Sequence, residues 1–223
     1  MDASRVFVVP NGVCLEEFKT ALDPTALASL HARLGIVRPY YIHLGTIEPR
    51  KNLVRLLKAY HRLRTRRNDL PQLLLAGKTG WKSEPVFAAI QELRLAGDVV
   101  HAGYLERAQA VALLKNAVAC VYPSLYEGFG LPVAEAMAAG APVVTSNTSS
   151  LPEVAGDTAC YVDPTSTESI ETGLEEILEK PEAARLRAQA GLIRARHLTW
   201  GASAERLESV YRELSGGSVS GTA

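Results

Sequence analysis

The sequence predicts an α/β protein: a Rossmann-like open parallel sheet with helices on both faces, followed by a helical C-terminal segment. Three observations predict it. Short apolar runs recur along the chain without the alternation of half-exposed strands, as expected for parallel strands covered on both faces. The segments between them carry apolar residues at helical spacing. After Thr167 the strand-like runs stop and helical patterns continue. Strand candidates, in order, are Arg5–Val9, Tyr40–Leu44, Gln72–Ala76, Val99–Ala102, Ala117–Tyr122, Pro142–Thr145 and Cys160–Val162. Helices are expected over Asn52–Arg67, where Leu53, Leu56, Leu57 and Tyr60 share one stripe, and over Pro85–Ala96, Arg107–Asn116 and Leu131–Ala139. Strictly alternating elements of this kind build a parallel sheet with crossover helices. Three more helices follow, Thr167–Glu179, Pro181–His197 and Trp200–Leu214. In the last of them, Trp200, Leu207, Val210 and Tyr211 form an apolar stripe expected in the core. There is no internal repeat and no dividing linker, so residues 1–214 read as one domain and the small, polar stretch 215–223 as a frayed tail.

Composition narrows the function. Of 223 residues, 47% are apolar, enough for a sizeable core. Lys plus Arg and Asp plus Glu both number 24, so bulk charge points neither to nucleic acid nor to an anionic membrane. Cys14, Cys120 and Cys160 are odd in number and lack CxxC spacing; they read as reduced thiols of a cytoplasmic protein, not as a disulfide framework or a zinc site. No apolar run approaches the roughly 18 residues of a membrane span, and no basic-then-apolar leader opens the chain.

Ligands of open parallel sheets sit beyond the carboxyl ends of the strands, which singles out the loops after Leu44, Ala76, Ala102, Tyr122 and Thr145. The loop after Tyr122 runs into YEGFGLPVAEAMAAGAP, Tyr126–Pro142. Gly128 and Gly130 allow a ligand close to the main chain. Pro132 suits the first turn of a helix beginning near Leu131, whose free N–H groups make an anion site. Glu127 precedes that helix and Glu135 lies about one turn into it, so the two carboxylates surround one helix start. Gly140 suits the left-handed cap that ends it. The competing reading is that acidic residues merely complement the helix dipole. A second stretch, GTIEPRKN, Gly45–Asn52, weighs against that reading. It places Arg50 and Lys51 at another helix start, where the dipole disfavours cations. One loop with free N–H groups and one with cations together suggest a bound diphosphate.

Other residues carry weaker signals. His43 and His101 read as satisfied core histidines, and Lys78 as a solvated lysine with a phosphate contact as the alternative. For Tyr104 and Tyr126, packing and ligand contact are equally open. Asn11-Gly12 is a turn signal.

The ordered set EGFGLPVAE, GTIEPRKN, PNGV at Pro10–Val13, LLLAGKTGW at Leu73–Trp81, VYPSLYEGFG and SSLPEVAGD at Ser149–Asp157 resembles the family-four retaining glycosyltransferases of the GT-B fold. The resemblance runs from about Val6 to Leu214, covers their carboxyl-terminal, donor-binding half, and is similar to their mannosyltransferase branch. It implies a sugar transfer from a nucleotide diphosphate to an acceptor hydroxyl, with GDP-mannose the preferred donor, a UDP-sugar the runner-up, and no cofactor. It further implies that Glu135 accepts hydrogen bonds from the ribose hydroxyls and that Glu127 holds a hydroxyl of the donor sugar. The backbone of Gly128, Phe129, Gly130 and Leu131 would hold sugar and phosphate oxygens, and Arg50 and Lys51 would clamp the diphosphate. Gly45 would allow close approach, and Gly103–Leu105, with Tyr104, would border the base. Thr46 stands where some relatives carry an Arg, so the clamp would be lighter or rest more on Arg50. No Asp-x-Asp occurs, and with Arg50, Lys51 and a helix terminus no metal is required to neutralise the diphosphate.

By the same resemblance an N-terminal acceptor domain is the expected partner, absent here, and any membrane contact would come through it. Pro10–Val13 would lie near the hinge, and part of the Trp200 stripe would then be exposed. A nucleotide-sugar-binding module without turnover and a GT-B epimerase are the alternatives. A phosphorylase would need a cofactor lysine motif that the chain lacks.

Overall fold

A computed structural model describes residues 6–20 and 22–215. Six strands form one parallel sheet: β1 Tyr40–Leu44, β2 Gln72–Ala76, β3 Val99–Gly103, β4 Ala119–Tyr122, β5 Val143–Ser146 and β6 Cys160–Val162, in the order β3-β2-β1-β4-β5-β6. The helices are α1 Pro24–Leu34, α2 Leu53–Arg66, α3 Glu84–Glu92, α4 Arg107–Lys115, α5 Leu131–Ala138, α6 Leu151–Ala155, α7 Thr167–Glu179, α8 Pro181–Ala195 and α9 Trp200–Leu214. Alternate strand residues divide the core into two layers. Ile42, Leu74, Cys120 and Tyr122 face the side covered by α4 and α5. Tyr41, Leu73, Leu75, Ala119 and Val121 face the side covered by α2, α3 and α7. Both faces are dry, which is why the strands read as continuous apolar runs.

Most expected elements are present, with ends moved by a few residues. Arg5–Val9 is the exception. Arg5 lies outside the described residues, and Val6–Val9 form no strand; Val6 and Val8 are exposed. Apolar residues suffice for strand propensity, but a strand also needs a neighbour to complete its ladder. Instead this segment lies along the start of α9: the Val13 N–H donates to the Leu198 carbonyl at 2.8 Å and the Ser203 hydroxyl to that of Pro10 at 2.6 Å. Of the apolar stripe of α9, expected in the core from its spacing and partly exposed from the family resemblance, only Val210 is buried while Trp200, Leu207 and Tyr211 are exposed.

Helix α1 was not expected. Its signals are local: Asp23 accepts from the N–H groups of Thr25 and Ala26, Pro24 opens it, and Gly35 closes it with φ 75°. Only Leu30 is buried, so the apolar stripe is faint. Cys14, Cys120 and Cys160 are free thiols, and burial pushes the Cys120 thiol up to about 12. Among the described residues no helix is long and apolar enough to cross a membrane.

At the carboxyl edge the β1–β2 ladder continues into the loops. The Gly45 N–H donates to the Ala76 carbonyl at 2.8 Å, Ile47 to Lys78 at 2.9 Å, and Gly80 to Ile47 at 3.0 Å. The approach is so close that a Cβ on Gly77, whose φ is 151°, would stand 1.9 Å from the Gly45 carbonyl oxygen. Backbone cannot yield as a side chain does. Gly77→Ala is therefore expected to destabilise the protein by about 2–5 kcal/mol in urea unfolding. Gly97→Ala, where a Cβ meets nothing within 4 Å, should change stability by no more than about 0.5 kcal/mol.

Candidate functional site

Strand order reverses between β1 and β4, so the chain leaves these neighbours in opposite directions and opens a crevice beyond their carboxyl ends. The loop after β1 ends in a short 3₁₀ turn, Pro49–Lys51, and Asn52 (φ 61°) then starts α2. Arg50 and Lys51 thus lie one turn before the α-helix and not at its first positions. Asn52 Nδ2 donates to the carbonyls of Pro123 at 3.0 Å and Pro164 at 2.8 Å, and the Leu125 N–H donates to the Arg50 carbonyl at 2.9 Å. These bonds tie the loops after β1 and β4 together.

That tie puts Glu127 between the two cations. Lys51 Nζ donates to Glu127 Oε1 at 2.8 Å and also to the Tyr122 hydroxyl. Arg50 Nη1 donates to Glu127 Oε2 and to the Tyr126 carbonyl, the latter at 3.0 Å, while Nη2 reaches Glu48 Oε1 at 2.7 Å. Lys51 is 6% exposed and Glu127 7%. Burial pushes the Glu127 carboxyl up, but the bonds and charges of Lys51 and Arg50 outweigh it and hold it below the ordinary range. Sequence reasoning gave the cations a diphosphate and Glu127 a sugar hydroxyl, as separate contacts. The three side chains instead form one ion cluster, with Glu127 as the counter-charge, because their loops meet. Arg50 keeps 39% of its side chain exposed, whereas Lys51 is enclosed.

The second expected feature is the start of α5. Gly130 precedes it with φ 102°, and Pro132 lies in its first turn. The Ser150 hydroxyl donates to the carbonyls of Glu127 at 3.0 Å and Phe129 at 2.8 Å, and Ser149 Oγ accepts from the Glu127 N–H at 3.1 Å. The loop carbonyls are thereby drawn toward α6. At the start of α5 Pro132 has no N–H, and the Val133 and Ala134 N–H groups donate to the Gly130 carbonyl at 2.9 and 3.2 Å, so the Leu131 N–H and the positive end of the dipole are what this helix start offers. Glu135 stands one turn further on, 17% of its side chain exposed, and accepts from Arg107 Nη1 at 2.6 Å. Burial raises its pKa, and Arg107 offsets this only in part.

A cleft of about 560 Å³ runs along this edge. Of the expected residues, Gly45, Thr46, Tyr104, Leu131 and Glu135 line it, together with Lys78 and Arg107. Gly128 and Phe129 border a separate hollow of about 130 Å³ beside Asn11 and Ser150. Arg50, Lys51, Glu127 and Gly130 wall neither of these two spaces. Tyr104 is 70% exposed and Lys78 Nζ lies 4.9 Å from its ring centroid; Tyr126 is also exposed. Packing explains neither tyrosine. His43 is buried and stacked on Tyr122, with Nδ1 3.1 Å from the Val121 carbonyl, but Nε2 has no partner among the described residues. Burial lowers its pKa to about 4. It is a core histidine satisfied on one side only. His101 is not in the core: it is exposed, with its ring 5.2 Å from that of Phe87.

Sequence reasoning missed Arg107, Tyr122, Glu48 and the two serines as site residues. Arg107 carried the signal used for Arg50 and Lys51, a cation at a predicted helix start. Tyr122 carried none, since an aromatic residue ending a strand reads as core. Among the described residues no group of three or more His, Cys, Asp or Glu is placed to hold a metal ion.

Comparison with known proteins gives this geometry a context. Residues 31–192 match the family model described as glycosyl transferases group 1. The O-antigen chain mannosyltransferase B of Escherichia coli is 34% identical over 175 residues, 78% of this chain and 46% of that protein. The MMP alpha-(1->4)-mannosyltransferase of Mycolicibacterium hassiacum is 35% identical over 216 residues, 94% of this chain and 48% of that protein. The chain thus spans about half the length of these curated relatives. Among solved structures, a sucrose-phosphate synthase from Thermosynechococcus elongatus superposes with a TM-score of 0.79 at 28% identity, covering 94% of this chain and 53% of that one.

The ion cluster makes a prediction about stability. Glu127→Gln leaves the buried Lys51 ammonium without its carboxylate and is expected to cost about 3–5 kcal/mol in urea unfolding at pH 7. The folded pKa of Glu127 is depressed below 4.5, so its contribution is present above that pH and is lost as pH falls through the folded value. The gap between wild type and Glu127→Gln should therefore close in acid. A gap that stays constant down to the acid transition would show that the carboxylate charge is not what holds the cluster.

Proposed function

Since the chain belongs to the glycosyl transferases group 1 family, we propose that it is the donor-binding half of a retaining transferase that moves a sugar, mannose by preference, from a nucleotide diphosphate to an acceptor hydroxyl. The observation that carries this reading is the meeting of the β1 and β4 loops at the sheet reversal. A buried carboxylate, two cations and the amino end of α5 are gathered there beside an open cleft.

In this reading the nucleoside lies in the large cleft, with its base against Tyr104 and its ribose hydroxyls on Glu135. Gly45 lets the diphosphate pass close to the main chain, and the diphosphate then meets the N–H groups at Gly128–Leu131 and the exposed part of Arg50. Glu127 competes with the phosphates for Arg50, so donor binding redistributes the cluster: Arg50 turns toward the leaving diphosphate while Lys51 and Tyr122 keep Glu127 in place. Glu127 is thereby left with one oxygen for a sugar hydroxyl. Charge developing on the departing phosphate is stabilised by a guanidinium and a helix dipole already in position, which lowers the barrier without solvent reorganisation. The two mannosyltransferase relatives support mannose as the sugar, while GDP as its carrier rests on the family resemblance alone. The likeness to a sucrose-phosphate synthase lies outside mannosyl transfer, so the base and sugar are best tested as a panel.

Binding of a ligand to the folded state raises the melting temperature, so thermal shift with GDP, UDP, ADP and dTDP tests the reading directly, with GDP expected to give the largest rise. Glu135→Ala should weaken the preferred nucleotide by about 1.5–3 kcal/mol in calorimetric titration, the range of charge-assisted hydrogen bonds. Equal affinity of wild type and variant would remove Glu135 from the site. The positive charge comes from side chains and a helix end, so affinity for the nucleoside diphosphate should be the same in EDTA as in magnesium. Binding lost in EDTA and restored by magnesium would show that an ion carries the diphosphate.

A further inference from the structure

Arg107 opens α4 and faces the large cleft. Nothing about the helix favours it there, since a cation at a helix start opposes the dipole. Three contacts hold it. Its Nη1 donates to Glu135 Oε1 at 2.6 Å, its Nε to Glu17 Oε2 at 2.6 Å, and its guanidinium carbon lies 5.3 Å from the ring centroid of Phe18. Glu17 and Phe18 belong to the short 3₁₀ turn Leu15–Phe18, whose Phe18 is buried. The guanidinium is thus fixed from one side by a packed segment and presented to Glu135 from the other. Among the described residues no hydrogen bond reaches Glu135 Oε2. A carboxylate held by one oxygen, in a fixed rotamer beside an open cleft, has its second oxygen left to accept.

We propose that Arg107 is a positioning residue for nucleotide-ribose recognition: anchored on Glu17 and Phe18, it holds Glu135 by one oxygen and leaves the other oxygen to the ribose hydroxyls. This rests on the assignment of Glu135 to the ribose. The electrostatics are consistent with it. The groups facing Glu135 are Arg107 from α4, Glu17 from the 3₁₀ turn and the buried Cys120 thiol from β4, with Lys78 and Tyr104 across the cleft. Burial and Glu17 push the Glu135 carboxyl up, and Arg107 is the group that pulls it down. Without Arg107 the carboxyl protonates at a higher pH and ceases to be a two-lone-pair acceptor.

The test is calorimetric titration of the whole chain with GDP, and with 2′,3′-dideoxy-GDP, from pH 5 to pH 8. Wild type, Arg107→Met and Arg107→Lys are compared, with thermal melts to confirm that each variant is folded. Because the terminal phosphate of GDP itself titrates in this range, the quantity read is the ratio of GDP to 2′,3′-dideoxy-GDP affinity. Arg107→Met should bind GDP about tenfold more weakly than wild type at pH 8, as for loss of a well-oriented charged hydrogen bond, and its ratio should fall more steeply toward pH 5 than that of wild type. Arg107→Lys restores a cation but not the fork that spans two carboxylates, so it should recover the wild-type pH profile and only part of the affinity. The dideoxy nucleotide should bind all three alike. GDP binding by folded Arg107→Met that is as tight as wild type or tighter, with the same pH profile of the ratio, would overturn the role of Arg107 while leaving the nucleotide reading intact. If neither GDP nor UDP binds wild type, the nucleotide reading itself fails, and this role with it.

Discussion

A carboxylate removed from water stays ionised only with a cation against it. Glu127 is nearly enclosed, and its cations come from a different loop, so the charge requirement doubles as a positional one. The loop after β1 must come to the loop after β4, or the Glu127 carboxylate and the Lys51 ammonium are left buried and unpaired. Asn52 reinforces the same junction with neutral bonds: its left-handed backbone turns the chain into α2 while its amide reaches the Pro123 carbonyl across the gap and the Pro164 carbonyl in the loop after β6. The crevice at the sheet reversal is therefore a fixed distance between two stapled loops. The sugar transfer proposed for this crevice would draw on such fixity, because reacting groups must be held in a fixed orientation.

Much of the scaffold was legible because its physics is local. Tyr40–Leu44, Gln72–Ala76 and Cys160–Val162 are apolar runs of strand length, and burial on both faces leaves no other use for them. The failures are instructive in the same terms. Val6–Val9 are as apolar as a strand requires, but strand formation is a property of pairs, and no neighbour stands beside them. The stripe on α9 has helical spacing, yet spacing fixes only which residues share a face, not what that face meets. Helix α1 carries good end signals and a weak stripe, and weight placed on the stripe hides it.

The site divides similarly. Glycines after strands, a proline in a first helical turn and cations beside a helix start could be read from the chain, and the structure gathers them at the carboxyl edge of the sheet beside the large cleft. Partnerships could not. That Glu127 sits with Arg50 and Lys51, and Glu135 with Arg107, depends on where separate loops come to rest. Each acidic residue proposed to touch the donor is engaged by a basic one. On the proposed reading, donor binding would be an exchange of partners, with less desolvation than for bare charges and more specificity in geometry than in strength.

The continuation of the β1–β2 ladder past the sheet has an evolutionary consequence. Loops at the ligand edge of such folds ordinarily tolerate insertions and so diversify by length. Here Gly45, Ile47, Lys78 and Gly80 are bonded main chain to main chain, and the room between Gly45 and Gly77 does not admit a single methyl group. Length variation would break a ladder, so this rim can diversify only by exchanging side chains on an unchanged backbone. Thr46 and Lys78 are the non-glycine positions of this rim that line the cleft, with Tyr104 beside them after β3. On the proposed reading, a library meant to alter donor preference would have its productive diversity at those three residues, with Gly45 and Gly77 held constant.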